Sequence, residues 1–257
     1  MRSHCWICYV TFKDHFSQLA AQYAQFRPFY PGALFDFLAR ISPARTRAWD
    51  CACGNGQASL DLAERFESVI ATDASPQQIS AAKPHPRVTY RVAPAEASGL
   101  EDDSMDLVTV AQALHWLDHS RFYPEVRRVL RANGVLAVWT YGMPRMNDVK
   151  IDPLIKSYYI DVVGPYWPPE RRYVEEGYRN LDFPFTEVSS PSLSMREQWN
   201  LAQFLGYVRS WSASARCFDA TGVDPVVALS EQLAPVWGDP QRVRAVCWPL
   251  SLRVGRK

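Results

Sequence analysis

The sequence predicts an α/β fold in which helices cover both faces of a mostly parallel sheet. Three observations lead to this prediction. Short apolar segments alternate with helical segments up to residue 141, which is typical of a doubly wound sheet. The first predicted strand runs directly into a glycine turn, and a helical segment follows that turn. Ligands of such sheets bind outside the carboxyl ends of the strands, next to the first strand.

Five strands, with helices between most of them, are predicted in the N-terminal half. Residues 14–40 are predicted to be helical, with an interruption at Pro28 and Pro31, because apolar residues recur at three- and four-residue spacing and proline breaks a helix. Ser75 and Pro76 are typical of the N-cap and first turn of a short helix. In chain order we then expect a strand ending at Asp50, a helix over 58–66, a strand over 68–73, a helix over 75–83, strands over 87–93 and 105–114, a helix over 121–131 and a strand over 134–141.

The regular alternation ends after Tyr141. Residues 143–180 are rich in Pro, Tyr and Trp, and residues 183–194 favour a strand or one arm of a hairpin. The remaining predicted elements are helical segments over 195–214 and 224–237 and a long final strand over 243–254. We therefore expect a sheet domain with N-terminal helices over 1–142, a helical lid with an intervening strand over 143–244, and the last strand of the sheet over 245–257.

Charge, hydropathy and cysteine content narrow the range of functions. The 257 residues include 28 Lys and Arg against 27 Asp and Glu, so no strong field attracts nucleic acid or an anionic membrane. The chain has no apolar run near the roughly 20 residues of a membrane span. The N-terminal apolar stretch is too short for a secretory signal, and only Cys5 and Cys8 have C-x-x-C spacing. We expect a cytoplasmic protein with a small-molecule substrate, no metal, no nucleic-acid partner and no membrane partner.

The turn after the first strand has the composition of a nucleotide-type site. Gly54 and Gly56 can adopt positive φ and let a ligand approach the backbone closely. A dinucleotide site needs G-x-G-x-x-G/A, but the third position here is Ser59. Asp50, just before the turn, favours instead a ligand with an ammonium group, bound directly or through water.

Asp73 ends the second predicted strand, seventeen residues after Gly56. A carboxylate at this place can accept hydrogen bonds from both hydroxyls of a ribose. This feature is common to NAD sites and S-adenosylmethionine sites, so it does not separate them. The structural alternative is that Asp73 only caps the following helix.

Four segments in this order resemble the motif series of class I S-adenosylmethionine-dependent methyltransferases: DCACGNGQ, ATDAS, APAEASGLEDDSMDLVTVAQALHW and EVRRVLRANGVLAVW. The chain is most similar to the small-molecule branch, of methyltransferase type 11, that includes trans-aconitate methyltransferases and relatives of ubiquinone-biosynthesis enzymes. The resemblance covers residues 14–141, and more weakly GYVRSWSAS and WPLSLRVGR. It implies a Rossmann-like seven-stranded sheet ending in an antiparallel hairpin, S-adenosylmethionine at the glycine turn, and a lid that holds the acceptor.

The resemblance also assigns residues to the cofactor. It implies that the methionine part contacts Asp50, Ala52, Gly54 and Gly56, that Asp73 binds the ribose, that Ala74 lies beside the adenine, and that Ala111 and Gln112 lie at the exit of the fourth strand. Two positions depart from the family pattern. Ala52 stands where glycine is usual, which a negative φ would tolerate. Pro94 replaces an acidic residue, so adenine recognition falls to the backbone of Ala95 or to Glu96.

Several further residues are candidates for the transfer step. His115 follows the fourth strand and is a general base or a donor that orients the acceptor; the alternative is a histidine that only packs against Trp116. Tyr23 and Arg27 are expected near the methionine end of the cofactor or the acceptor, unless they lie on a solvated helix. The expected acceptor contacts are Tyr30, Trp116, Arg209 and Trp211.

Of three alternatives to a small-molecule methyltransferase, the sequence disfavours the first and leaves the other two open. A methyltransferase acting on nucleic-acid bases usually has Asn/Asp-Pro-Pro-aromatic after the fourth strand, whereas this chain has QALHW from Gln112 to Trp116. An NAD(P)-dependent oxidoreductase would use the same turn and the same Asp73. A protein that binds S-adenosylmethionine without turnover, as a sensor or partner, belongs to a different class, and Pro94 favours it. The oligomeric state is left open.

Overall fold

The computed structural model describes residues 27–257, and Tyr23 with the rest of residues 1–26 lies outside the described part. Within that part, the strands form one mixed sheet in the order β3-β2-β1-β4-β5-β8-β6, and β7 also pairs with β8. The strands are β1 (Arg47–Cys51), β2 (Ser68–Asp73), β3 (Val88–Val92), β4 (Met105–Ala111), β5 (Leu130–Tyr141), β6 (Thr186–Glu187), β7 (Leu193–Trp199) and β8 (Arg244–Arg256).

The first five strands are parallel, and β8 is antiparallel to β5. On its other edge β8 pairs with β6 at Arg256 and Gly255 and with β7 from Leu250 to Arg244. β6 and β7 therefore occupy one position beside β8, so the described sheet has seven positions across. This confirms the predicted Rossmann-like α/β architecture with an antiparallel end.

Helices lie on both faces of the sheet. Alternate residues of β5 enter two separate cores: Trp139 belongs to the core shared with α1 and α2, while Val138 belongs to the core shared with α4. This period of two is what a strand buried on both faces requires. The helices are α1 (Gly32–Ile41), α2 (Gln57–Ala63), α3 (Pro76–Ser80), α4 (His119–Val129), α5 (Ile151–Ser157), α6 (Arg171–Glu175), α7 (Leu201–Arg209), α8 (Ser212–Thr221) and α9 (Pro225–Trp237).

A buried carboxylate at the start of β4 fixes the amino end of the sheet. Asp106 is fully buried. One of its oxygens accepts hydrogen bonds from the backbone N–H groups of Thr46 and Arg47, both at 2.9 Å, and the other accepts from Arg131 at 2.8 Å. The charge is thus paired and hydrogen-bonded, which buried charges require. This clamp holds β1 in register with β4.

The helix predicted over 195–214 begins too early. Residues 195–199 belong to β7, and the helix starts at Leu201 after a capping box made by Asn200 and Gln203. Met195 and Trp199 are buried while Arg196 and Gln198 are exposed, so this short segment alternates with a period of two. Pairing with β8 outweighs its helical propensity, because β-structure depends on cross-strand contacts.

The segment predicted as a lid, 143–244, contains both helices and sheet strands. One helical part runs from α5 to α6 over 151–175, and a second runs from α7 to α9 over 201–237. β6 and β7 lie between them in sequence and belong to the main sheet. Among residues 27–257, no helix combines the length and apolar character needed to cross a bilayer.

Candidate active site

The carboxyl ends of β1, β4 and β5 meet at one edge of the sheet. Cys51 of β1 pairs with Val110 of β4, and Ala111 pairs with Trp139 of β5. The residues that follow these strands therefore leave the sheet side by side. A cavity of about 670 Å³, counted with its open mouth, lies at this edge and is lined by Arg27, Gln112, His115, Trp116, Tyr141, Gly142, Tyr159, Trp167, Pro168, Arg171, Tyr207, Trp211 and Ser212.

The glycine turn has the left-handed backbone that glycine favours. Gly54 has φ +57° and Gly56 has φ +83°. A Cβ on Gly54 would lie 3.7 Å from the side chain of Gln78, which is an ordinary van der Waals contact, so the positive φ and not crowding favours glycine at this position. Ala52 has φ +54°, so the expectation of a negative φ at this position is wrong. Alanine holds a conformation there that costs about 1–2 kcal/mol for a residue with a Cβ.

Asp50 lies beneath the turn and is fully buried. Its two oxygens accept hydrogen bonds from Ser59 at 2.6 Å and Thr109 at 3.0 Å, which joins β1 to α2 and β4. Burial raises the pKa of Asp50 to about 6, and the two hydroxyl groups oppose this rise. In this arrangement Asp50 supports the turn from below, and its predicted contact with an ammonium group stays a prediction.

Asp73 is partly exposed beside the same turn. Its two oxygens accept hydrogen bonds from the backbone N–H groups of Gly54 at 2.8 Å and Ser75 at 2.9 Å. The N-cap of α3 is Ser75, whose side chain accepts from the N–H of Gln78, so Asp73 is not the capping residue. Each carboxylate oxygen can accept more than one hydrogen bond, so the predicted ribose contact of Asp73 is compatible with these two bonds and stays a prediction. Ala74 follows it at the same edge.

The loop after β3 lies next to Asp73, because the N–H of Ala93 donates to the Asp73 carbonyl at 3.0 Å. Ala95 is buried in this loop. Glu96 accepts a hydrogen bond from the N–H of Asp118, at the start of α4, at 3.0 Å. A contact of Glu96 with adenine would compete with that bond, so the backbone of Ala95 is the simpler of the two predicted ways to recognise adenine.

Gln112 connects the ends of β4 and β5. It has φ +56°, its backbone N–H donates to Trp139, and its side-chain amide donates to the Tyr141 carbonyl at 3.0 Å. The hydroxyl of Thr140 donates a hydrogen bond to the side-chain oxygen of Gln112. The side chain that the sequence assigned to the cofactor thus fixes the floor of the cavity, and Ala111 precedes it at the end of β4.

His115 lies in the cavity wall with its Nδ1 2.8 Å from the hydroxyl of Tyr178. Its ring lies against Trp116, with the ring centres 4.6 Å apart. Burial lowers the pKa of His115 to about 3, and Arg171 and His119 lower it further. The imidazole is therefore neutral near pH 7, which favours the orienting role of His115 over the role of general base.

We expect His115 to make folding stability depend on pH. The folded protein disfavours the protonated ring, whereas the unfolded chain binds that proton below pH 6.5. Stability contributed by His115 is therefore full at neutral pH and is lost as the pH falls from about 6.5 towards 3. Between pH 7 and 5 the wild-type protein should lose about 2 kcal/mol more than His115→Gln, as measured by urea denaturation. Because Asp50 titrates in both proteins, the comparison subtracts it; equal losses would contradict the prediction.

The structure separates the other predicted contacts. Arg27 lines the cavity and donates to the Tyr141 hydroxyl at 2.7 Å, and Trp211 also lines it. Tyr30 is not among the described lining residues: its ring packs edge-on against Trp139 in the core, and its assignment to the acceptor stays a prediction. Arg209 is exposed and pairs with Asp224 at 3.0 Å, outside the cavity lining. Long charged side chains are usually exposed.

The cavity wall contributed by residues 158–171 was not predicted from the sequence. Tyr159, Trp167 and Arg171 line the cavity together with Tyr207 of α7. The signal for Trp167 and Arg171 was present as the aromatic-rich stretch GPYWPPERRY, whereas Tyr159 and Tyr207 lie outside it. Nothing in local sequence shows that this stretch folds over the ends of β4 and β5, because that placement depends on long-range packing.

Comparison with known proteins identifies the family. The model of the methyltransferase domain of type 11 matches residues 49–138. A Dictyostelium discoideum protein assigned as a methyltransferase is 33% identical over 225 residues, which are 86% of this chain and 86% of that protein. The chain belongs to the S-adenosylmethionine-dependent methyltransferases. A solved structure assigned as a type II methyltransferase of Anaeromyxobacter dehalogenans is 48% identical to this methyltransferase, with a TM-score of 0.86, and covers 90% of this chain and 98% of its own.

A more distant relative is CRG1 of Saccharomyces cerevisiae, assigned as an S-adenosylmethionine-dependent methyltransferase, which is 25% identical over 230 residues and covers 75% of this chain and 78% of its own. The matched domain spans β1 to β5 and therefore includes the glycine turn and Asp73. Because the chain belongs to this family, the alternative function of an NAD(P)-dependent oxidoreductase, which the sequence had left open, is no longer favoured. The narrower resemblance to trans-aconitate methyltransferases stays a prediction.

Proposed function

We propose that this methyltransferase transfers a methyl group from S-adenosylmethionine to a small molecule bound in the cavity at the ends of β4 and β5. The observation that supports this most is the position of the cavity. It lies at the end of β4, the strand that pairs with β1, and its described lining includes Gln112 and aromatic side chains such as Tyr159 and Trp167 but no residue of the glycine turn.

The residues around the turn fit the cofactor. Gly54 and Gly56 expose backbone without a side chain at the turn, and the partly exposed carboxylate of Asp73 beside it is the type of group that accepts hydrogen bonds from ribose hydroxyls. Arg27 is held near this end, because the side chain of Gln57, the first residue of α2, donates to the carbonyl of Pro28 at 2.7 Å. When bound, the cofactor supplies a methyl group already activated by its positive sulfur.

The protein must then align the acceptor and exclude water. Alignment alone reaches effective molarities of about 10⁵ M or more in favourable cases. The aromatic wall excludes water, and the neutral ring of His115 can hold the acceptor by a hydrogen bond. Its orientation is set by Tyr178, which is buried and hydrogen-bonded to Nδ1. We assign no proton transfer to His115, because its lowered pKa makes it a weak base.

We also propose that the reaction takes place in a reducing compartment, in line with the predicted cytoplasmic location. Among the described residues, Cys51, Cys53, Cys217 and Cys247 are free thiols. Burial raises the pKa of Cys51 and of Cys53 well above the usual value, so both stay protonated beside the turn. Neither thiol is placed in the transfer step.

Calorimetry and label transfer test the proposed function. We expect S-adenosylhomocysteine to bind and NAD to show no heat of binding under the same conditions. With S-adenosylmethionine carrying a labelled methyl group, label should pass to a member of a panel of small acids, phenols and quinone precursors. Absence of S-adenosylhomocysteine binding would overturn the proposal. Binding without label in any acceptor would instead favour the non-catalytic binding protein.

A further inference from the structure

The described part of the cavity lining carries positive side chains and no carboxylate. This lining includes two guanidinium groups, Arg27 and Arg171, and contains no aspartate or glutamate among the residues that the structure describes. The one histidine in the lining, His115, has a pKa lowered to about 3 and is neutral near pH 7. Arg171 forms no ion pair within residues 27–257, and a cation in a partly closed site is stabilised when an anion accompanies it. The cavity is therefore suited to anionic ligands.

The two cations come from different segments of the chain. The guanidinium of Arg27 donates a hydrogen bond to the Tyr141 hydroxyl. The next residue, Pro28, accepts a hydrogen bond from the side chain of Gln57, which begins α2 directly after the glycine turn. Arg171 begins α6, in the segment that follows β5. Two separate cations are suited to two separate anionic groups. Arg27 is linked through Pro28 to the predicted cofactor end, which leaves Arg171 for the acceptor.

The surroundings of Arg171 fix its guanidinium without a direct ion pair among the described residues. Its Nε donates to the hydroxyl of Tyr159 at 2.7 Å, and its guanidinium carbon lies 4.4 Å from the centre of the Trp167 ring. Glu175, the nearby acid, accepts from the same Tyr159 hydroxyl at 3.0 Å and forms no ion pair with Arg171 within residues 27–257. Stacking on an aromatic ring preorganises the guanidinium fork, and its two terminal nitrogens face no carboxylate in the described structure.

Flat side chains surround this cation. The ring centres of Tyr159 and Trp167 are 5.2 Å apart, those of Tyr159 and Trp211 are 5.6 Å apart, and those of Trp167 and Trp211 are 5.9 Å apart. All three line the cavity. Such rings prefer offset or edge contacts with another flat group. The wall therefore favours a planar body attached to the anionic group.

We propose that the acceptor is a small planar carboxylic acid whose carboxylate is held by the guanidinium of Arg171 beside Trp167. This inference rests on the proposed function and narrows its substrate class. A guanidinium and a carboxylate match in a bidentate pair, and an uncharged amide of the same shape cannot form that pair. Discrimination between an acid and its amide is therefore the property that Arg171 confers.

Calorimetry with three acids and their amides tests this proposal. The probes are benzoate, trans-cinnamate and indole-3-acetate, each compared with its own primary amide, on the protein saturated with S-adenosylhomocysteine and on the protein alone. We expect at least one acid to bind at least tenfold more tightly than its amide. The Arg171→Gln variant should lose this preference, with acid affinity reduced about 10- to 100-fold, while its affinity for S-adenosylhomocysteine stays within about twofold. Arg171→Lys should keep a partial preference, because it retains the charge without the fork.

Arg172→Gln is the matched control. Arg172 is the next residue of α6, is exposed, and donates to Tyr173 instead of lining the cavity. Its acid preference should equal that of the wild type, and circular dichroism should show both variants folded. Equal binding of acids and amides by the wild type, binding of neither, or an acid preference that survives in Arg171→Gln would overturn the proposal. Failure of the proposed function is separate, since it would appear as absent S-adenosylhomocysteine binding.

Discussion

An Asp73→Ala variant is expected to bind S-adenosylhomocysteine about a hundredfold more weakly than the wild-type protein, because hydrogen bonds to a charged group contribute about 1.5–3 kcal/mol each. The substitution removes the carboxylate, and with it the two hydrogen bonds that we propose it accepts from the ribose. The N–H of Gly54, which now donates to Asp73 at 2.8 Å, would also lose its partner, so the glycine turn should become less ordered. Asp73→Asn keeps one acceptor oxygen, and we expect a loss of about tenfold on the same scale. Isothermal titration calorimetry measures both values.

Ser75→Ala is the control that separates cofactor binding from local structure. The side chain of Ser75 caps α3 by accepting a hydrogen bond from the N–H of Gln78. The hydrogen bond from Ser75 to Asp73 uses the backbone N–H of Ser75, so it is retained when the side chain is removed. Removing the cap should cost about 1 kcal/mol of folding stability and leave affinity for S-adenosylhomocysteine within about threefold. If Asp73→Ala bound as tightly as Ser75→Ala, the ribose role of Asp73 would be rejected.

Local sequence was sufficient where backbone chemistry decides the structure. Ser75 caps α3 as predicted, and the strand that ends at Asp73 has the predicted bounds, 68–73. The glycines have the predicted positive φ. These features follow from capping, apolar runs and the missing Cβ of glycine, all of which are properties of a few adjacent residues. The cofactor end of the site is built from such features.

Local sequence failed where distant segments decide the structure. Residues 195–199 pair with β8, fifty residues away along the chain, and a helical pattern could not reveal this partner. Tyr30 packs in the core and Arg209 pairs with Asp224, and neither is among the described lining residues, although both were expected at the acceptor. Arg171 reaches the cavity through the fold of residues 143–180. The acceptor end is thus formed by tertiary contacts, which cannot be predicted from local patterns in a single sequence.

Gly56→Ala is expected to destabilise the protein by about 2–5 kcal/mol, from two additive causes. Gly56 has φ +83°, where a Cβ costs about 1–2 kcal/mol. A Cβ on this residue would also lie 2.3 Å from the hydroxyl oxygen of Tyr90 and 2.8 Å from its ring, and overpacking of this kind costs about 1–3 kcal/mol. Urea denaturation measures the total.

Gly99→Ala is the matched control for the first cause alone, because Gly99 has φ +68° and a Cβ there meets no atom within 4 Å. It should cost about 1–2 kcal/mol. The second cause is isolated by a double-mutant cycle with Tyr90→Ala, which removes the ring that a Cβ at Gly56 would strike. In that background Gly56→Ala should cost no more than Gly99→Ala does in the wild type. If its cost were unchanged by Tyr90→Ala, contact with the Tyr90 ring would not be why position 56 requires glycine, and backbone strain alone would account for it.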